Sequence, residues 1–185
     1  MDQQRRWAGR PKALGAIHLA DPARETWGES FSFAHLHLQG QPMPLPQVEV
    51  LDSRRRFLAR VDGLWPERGV VAECDGDMKY FIDDRGEDDS PEATVLRHLG
   101  AEEERQARIE ATGLGVVRWS PSQVRDDPTG VSARVDDVAA AVDPTAFTGW
   151  VRWGGELLRL PFTVDRPAVH PETLRYRRPL RRRAT

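Results

Sequence analysis

The segment Arg60–Lys79 constrains the fold more than any other part of the chain because it reads as two strands joined by a tight turn. A turn at residues 66–69 makes the two strands antiparallel neighbours and places Asp62 opposite Glu73. Directly opposed residues in such a pair have Cβ atoms about 4.5–5.5 Å apart. The sequence therefore predicts two carboxylates side by side on one sheet.

A third carboxylate belongs to the same patch. Asp75 follows Glu73 by two residues, so it is expected to project from the same face of the strand. Three carboxylates repel one another unless a cation lies between them. The pattern favours a divalent-metal site formed by Asp62, Glu73 and Asp75. The alternative is a solvated acidic face, because antiparallel sheets often expose one side.

Composition excludes several other classes of protein. The chain has 185 residues, of which 30% are charged and 39% hydrophobic, as in one soluble domain with additional segments. No apolar run approaches the roughly 20 residues of a membrane helix, and no signal peptide is recognisable, which predicts a cytoplasmic, bacterial-type protein. The only cysteine, Cys74, excludes an internal disulfide and a cysteine-based zinc site.

Hydrophobic spacing and turn residues predict an α/β chain. The strand–helix–strand order across residues 70–119 predicts a parallel crossover within a mixed sheet. Gly154-Gly155 predicts a C-terminal β-hairpin. The predicted helices are Pro11–Leu19, Arg24–Leu38, Pro91–Thr112, a short turn from Pro121, and Pro128–Val142; the predicted strands are Gln47–Leu51, Arg56–Trp65, Val70–Cys74, Val116–Trp119, Thr148–Trp153 and Glu156–Phe162.

The charged residues 102–105 and the arginine-rich C-terminal tail each allow two interpretations. Glu102–Glu104 and Arg105 either face the acidic patch or are solvated. Trp150 and Trp153 are expected to pack in the hairpin rather than to stack on bases. The net charge of −2 counts against bulk electrostatic binding of nucleic acid, but six arginines lie within Arg175–Arg183, a tail that either contacts phosphate or is simply solvated.

An ordered series of short segments resembles a known family. Those segments are Gly28–Ser30, Pro44–Gln47, Arg60–Asp62, Val70–Gly76 with Lys79-Tyr80, Glu103–Arg105, and Gly113 with Val116–Trp119. Together they resemble the PD-(D/E)XK superfamily. The closer resemblance is to the very-short-patch-repair-like endonuclease domain found C-terminal to AbiEi-type antitoxin segments.

The resemblance implies a restriction-endonuclease-like mixed sheet flanked by helices. It divides the chain into an N-terminal segment (1–23), a nuclease-like domain (24–142), and a C-terminal hairpin with a basic tail (143–185). A chain of this length is expected to lack the winged-helix segment that often precedes such a domain. The expected partner is DNA, with a protein partner as a further possibility.

The resemblance also implies roles for individual residues. Asp62 and Glu73 would be metal ligands, and Glu29 would be the helix acid that completes or orients the site; the alternative for Glu29 is an ordinary first-turn glutamate favoured by the helix dipole. The implied ion is Mg²⁺, or Mn²⁺ in its place, which binds carboxylates, water and phosphate oxygens. Such an ion activates water and stabilises charge on the scissile phosphate.

One departure from the family pattern leaves two functions open. The family places a lysine two residues after the second acid, where this chain has Asp75. Lys79 is the candidate to supply the missing positive charge and stabilise the phosphate. The first hypothesis is therefore an Mg²⁺-dependent DNA endonuclease. The second is a catalytically inactive nuclease-fold module that binds DNA or protein in an antitoxin-like or regulatory system.

Overall fold

A mixed sheet of six strands, flanked by helices, forms the centre of the computed structural model, which describes residues 10–76 and 91–164. The strands, in chain order, are β1 (Leu45–Leu51), β2 (Phe57–Trp65), β3 (Val70–Cys74), β4 (Gly115–Trp119), β5 (Trp150–Trp153) and β6 (Glu156–Leu158). Their order across the sheet is β4-β3-β2-β1-β5-β6. The predicted α/β class with a mixed sheet is confirmed.

In residues 10–76 and 91–164, five α-helices and one short 3₁₀ helix accompany these strands. They are α1 (Arg10–Leu19), α2 (Trp27–Leu38), α3 (Pro91–Glu110), α4 (Pro121–Asp126), α5 (Pro128–Ala141) and the 3₁₀ helix Pro144–Ala146. Within the described parts of the chain, no helix has the length and apolar character needed to cross a membrane.

The β2–β3 hairpin has the register that its turn predicts. Leu64 pairs with Val71 across a four-residue connection, and the pairing extends to Gly63 and Ala72, the residues next to Asp62 and Glu73. Gly69 closes the turn with φ +64°, a conformation that glycine adopts without strain. Strand β4 then pairs with β3 in parallel, which confirms the predicted crossover.

The sheet is irregular at the level of Asp62. Regular β1–β2 pairs lie on either side of Gln47 and Asp62, and Gln47 itself has φ +49°. Val61 and Leu64 contribute to the same apolar cluster, although a regular strand would direct them to opposite faces. The distortion therefore changes the direction in which side chains leave β2 beside the predicted site.

Two apolar clusters fix the helices on the sheet. One includes Ile109 of α3, together with Val71 of β3. The other includes Phe33 of α2 and contacts from α4 and α5, and it is built around Trp65 and Trp119. Because adjacent residues of one strand alternate between the two clusters, α3 covers one face of the sheet, and α2, α4 and α5 cover the other.

The last two strands extend the same sheet. Strand β5 pairs with β1 and, across Gly154-Gly155, with β6, both in antiparallel orientation. Both glycines have positive φ, +59° and +84°, as a tight hairpin turn requires. The arginine-rich tail at 175–183 lies outside the described residues.

Candidate active site

Glu73 is the most buried carboxylate of the predicted patch. It lies near the end of β3 with 5% of its surface exposed, and on β4 it pairs directly with Arg118. Its Oε1 atom is 3.5 Å from Nη1 of Arg105, an ion-pair distance, but no described residue donates a hydrogen bond to it. A buried carboxylate oxygen without a hydrogen bond is costly. It is therefore a natural position for a ligand.

The surroundings of Glu73 favour its neutral form. The pKa of Glu73 is raised to about 7, chiefly by burial and also by the negative charges of Asp62 and Glu102, against the opposing effect of Arg105 and Arg118. Desolvation is the largest of these effects and outweighs the attraction of the two guanidinium groups. Ionising this side chain near neutral pH therefore costs free energy in the folded protein.

Asp62 reaches the end of β3 through its side chain. Its Oδ2 atom accepts a hydrogen bond of 2.7 Å from the backbone N–H of Cys74, the residue that follows Glu73. A carboxylate thus takes the place of a backbone carbonyl at the point where β2 and β3 separate. This contact fixes Asp62 beside Glu73, and the effect of Asp62 on the pKa of Glu73 reflects their proximity.

Asp75 is held by an arginine on the neighbouring strand. Arg118 contacts both of its oxygens, Nε to Oδ2 at 3.0 Å and Nη2 to Oδ1 at 3.3 Å. Such a bidentate pair is among the stronger hydrogen-bonded arrangements in proteins. The residue predicted as a third metal ligand is therefore engaged by a guanidinium group.

Glu102 of α3 connects the two arginines. Its Oε1 atom accepts hydrogen bonds from Arg105 and from Arg118. Positive and negative charges then alternate in the order Glu73, Arg105, Glu102, Arg118, Asp75, a set termed here the acid–arginine network. Of the two interpretations of the α3 charges, Glu102 and Arg105 face the site, while Glu103 and Glu104 are exposed.

Glu29 is buried at the first turn of α2, with 2% of its surface exposed. Its Oε1 accepts from the hydroxyl of Thr26, the N-cap residue, at 2.9 Å, and its Oε2 accepts from the backbone N–H of Glu25 at 3.2 Å. Oε2 also accepts from Nε2 of Gln47 at 3.0 Å. Glu29 thus caps its helix and connects it to β1.

Glu29, Asp62 and Asp75 converge around the thiol of Cys74. The pKa of Cys74 is raised to about 11, chiefly by burial and also by the charges of all three carboxylates, while a contact with Ser32 lowers it. The predicted site residues therefore lie around one strand end, although Glu29 approaches from the α2 side and Glu73 lies with α3. Cys74 contacts the core cluster under α2, as its alternation with acidic neighbours predicts.

Replacing Glu29 with glutamine is expected to lower the free energy of unfolding by about 1–3 kcal/mol, because an NH₂ group would then face donors that now bind a carboxylate. Urea denaturation measures the loss. Glu103→Gln, an exposed change on α3, is the matched control and should stay within about 0.5 kcal/mol of the wild type. A Glu29→Gln variant as stable as that control would contradict the capping role.

Lys79, the predicted phosphate-stabilising residue, lies outside the described residues. Two described residues of the site had no individual role in the prediction: Arg118 and Gln47. The signal for Arg118 was its position in β4, which follows a parallel crossover and therefore aligns with the acidic end of β3. Gln47 carries no such signal because its contact with Glu29 depends on the irregular β1 backbone.

The donor set partly fits a hard divalent cation. Among residues 10–76 and 91–164, no group of three or more His, Cys, Asp and Glu side chains is arranged to hold a metal ion. Asp62 and Glu73 nevertheless lie together, and Oε1 of Glu73 has no hydrogen bond from a described residue. Mg²⁺ is often bound through only one or two carboxylates, with water and substrate phosphate as its other ligands.

The chain matches no protein-family model, no curated protein and no solved structure.

Proposed function

We propose that this protein is an Mg²⁺-dependent DNA endonuclease with a restriction-endonuclease-like fold, and that Asp62 and Glu73 hold the ion. The observation that carries the proposal is the buried Oε1 of Glu73, which has no hydrogen bond from a described residue and lies beside Asp62. A protein gains nothing from burying such an oxygen unless a ligand compensates it. A cation is the ligand that suits two adjacent carboxylates.

The side chains around this pair support a phosphodiester substrate. When bound, the ion would supply a polarised water and charge stabilisation at the scissile phosphate. Asp62 is oriented by the N–H of Cys74, and Glu29 with Gln47 fixes the α2 and β1 backbone beside it. Arg105 and Arg118 partly neutralise the charge of the carboxylates, and Lys79 would stabilise the negative charge on the phosphate. Mn²⁺ is an equivalent ion for the same oxygen ligands.

A specific observation favours the second candidate, a catalytically inactive module that binds DNA or a protein partner. The family's lysine position holds Asp75, and Arg118 occupies that carboxylate in a bidentate ion pair. Arg105 and Arg118 also each form an ion pair with Glu102, so both site arginines are engaged with carboxylates of the protein itself. A site whose charged groups pair with one another suits a protein that has a nuclease-like fold but no catalytic activity.

Cleavage of supercoiled plasmid in Mg²⁺ or Mn²⁺ separates the two functions. We expect the wild type to nick the plasmid and Glu73→Ala to lose this activity, while Glu103→Ala on the exposed side of α3 retains it. Thermal melting establishes that each variant is folded. A wild type that does not cleave, or a Glu73→Ala variant that cleaves equally, would refute the enzyme and favour the binding module.

Metal binding gives an independent measurement of the same proposal. Titration calorimetry should detect Mn²⁺ or Mg²⁺ binding to the wild type, and this affinity should disappear in Asp62→Ala and in Glu73→Ala. Glu103→Ala again serves as the control because it removes a carboxylate from the same helix that carries Glu102. A folded wild-type protein that is indifferent to both metals supports the module without catalysis.

A further inference from the structure

The turn between β1 and β2 is built around one carboxylate. Oδ1 of Asp52 accepts the backbone N–H groups of Arg54 and Arg56, both at 2.8 Å. The backbone N–H of Asp52 also donates to the carbonyl of Arg56, and that of Arg55 donates to the carbonyl of Asp52, each at 2.9 Å. These four bonds define the conformation of residues 52–56, termed here the arginine turn.

Three consecutive arginines project from this turn. Arg54, Arg55 and Arg56 are all exposed, and Asp52 is the only acidic residue of the segment. Arg56 pairs with Asp52 at 2.7 Å, but 73% of the Arg56 side chain remains exposed. A local excess of positive charge therefore stands out on a chain whose net charge is −2.

An aromatic side chain orients two of the guanidinium groups. Cζ of Arg55 and Cζ of Arg159 each lie 4.7 Å from the ring centroid of Trp150, on the neighbouring strand β5. Stacking uses the face of a guanidinium group and leaves its edge for hydrogen bonds. Nη1 of Arg159 donates to the carbonyls of Thr148 and Gly149, so its other N–H groups are the ones that would bind phosphate. Trp150 therefore holds arginines in place, rather than offering its own ring to a base.

The arginine turn lies at a distance from the candidate active site that suits a duplex. Strand β2 begins at Phe57, directly after the turn, and reaches Asp62 five residues later. At about 3.3 Å per residue the separation is roughly 17–20 Å. This is about half of one helical turn of B-DNA, whose length is roughly 34–36 Å.

We propose that the arginine turn, together with Arg159, binds the phosphate backbone of duplex DNA and aligns it along β2 toward Asp62. The inference deepens the proposed function and rests on it for the identity of the ligand. Arginine is suited to this role because its planar group binds phosphate oxygens in pairs. Contacts of this type position a duplex without reading its sequence.

The test measures binding of a fluorescent 20-base-pair duplex in EDTA over a series of salt concentrations, so that it does not depend on cleavage. Arg54→Gln/Arg56→Gln removes two exposed arginines, one of them ion-paired with Asp52. Its matched control is Arg134→Gln/Arg125→Gln, which removes two exposed arginines from α5 and α4, one of them ion-paired with Asp126. Both variants change the net charge equally.

The expected result is specific to the turn. The slope of log K against log [salt] should decrease in magnitude by about 1.8 for the turn variant, since each phosphate contact contributes about 0.9. The control should change it by less than about 0.5. Arg54→Gln alone, which keeps the ion pair of Arg56, should decrease it by about 0.9 and provides a second variant if the double variant does not fold.

Two results would overturn the inference: a wild type that does not bind the duplex, or turn variants with the same salt dependence as the control. Binding that is lost only in the turn variants would uphold it. If the wild type binds the duplex through the arginine turn but does not cleave plasmid, the binding surface is upheld and the endonuclease proposal is refuted. The protein is then a DNA-binding module. Failure of the two proposals is thus distinguishable.

Discussion

Replacing Glu73 with glutamine is expected to stabilise the protein progressively, relative to the wild type, as the pH rises from 4.5 to about 8. The pKa of Glu73 is raised from 4.5 to about 7, chiefly by burial. Between these values the folded protein binds more protons than the unfolded chain, so its free energy of unfolding falls with rising pH. The difference between Glu73→Gln and wild type should therefore grow by about 3 kcal/mol across this interval.

Urea denaturation at several pH values measures this difference, and Asp136→Asn is its control. Arg68 and Gln41 lower the pKa of Asp136, so this group is ionised in both folded and unfolded states above about pH 5. The stability difference between Asp136→Asn and wild type should therefore stay constant from about pH 5 to 8. A constant difference for Glu73→Gln over the same range would show that Glu73 is not held in a desolvated site.

Replacing Phe33 with alanine is expected to lower the free energy of unfolding by about 3–5 kcal/mol. Phe33 is 1% exposed and packs edge-to-face against Trp65 and Trp119, with ring centroids 6.3 and 5.7 Å away. A Cβ atom at Gly63 would lie only 2.9 Å from Cζ of Phe33, which shows how closely α2 approaches β2. Truncation would therefore leave a cavity that the backbone cannot close.

The matched control for this prediction is Phe57→Ala, the same substitution at a side chain that is 60% exposed. Its effect on the free energy of unfolding should stay within about 0.5 kcal/mol. Urea denaturation at neutral pH measures both variants. A loss below about 1 kcal/mol for Phe33→Ala would mean that α2 does not depend on this aromatic contact for its position.

The hairpin and its register were predictable because the determinants are local. The turn at 66–69 fixes which residues of β2 and β3 oppose one another, and the strand–helix–strand order favours a crossover in which β4 runs parallel to β3. The proximity of Asp62 and Glu73 follows from the turn, and the position of Arg118 beside Glu73 follows from the parallel pairing. A sequence pattern suffices wherever one turn decides the geometry.

The partners of the acidic residues were not predictable in the same way. Arg118 could be aligned with β3 only once the parallel register was known, and Glu102 meets it from a helix whose rotation no local pattern fixes. The positive φ of Gln47 belongs to a backbone irregularity, and it turns the β1 side chains out of simple alternation. Such features depend on contacts between distant segments of the chain.

The pairing of β1 with β5 has a consequence for folding during translation. Leu51 pairs with Trp150, so about half of the chain separates two neighbouring strands. Until translation has passed β5, the outer side of β1 carries unpaired N–H and C=O groups, an edge that can recruit strands from other chains. Only the pairing of β5 with β1 removes this exposed edge.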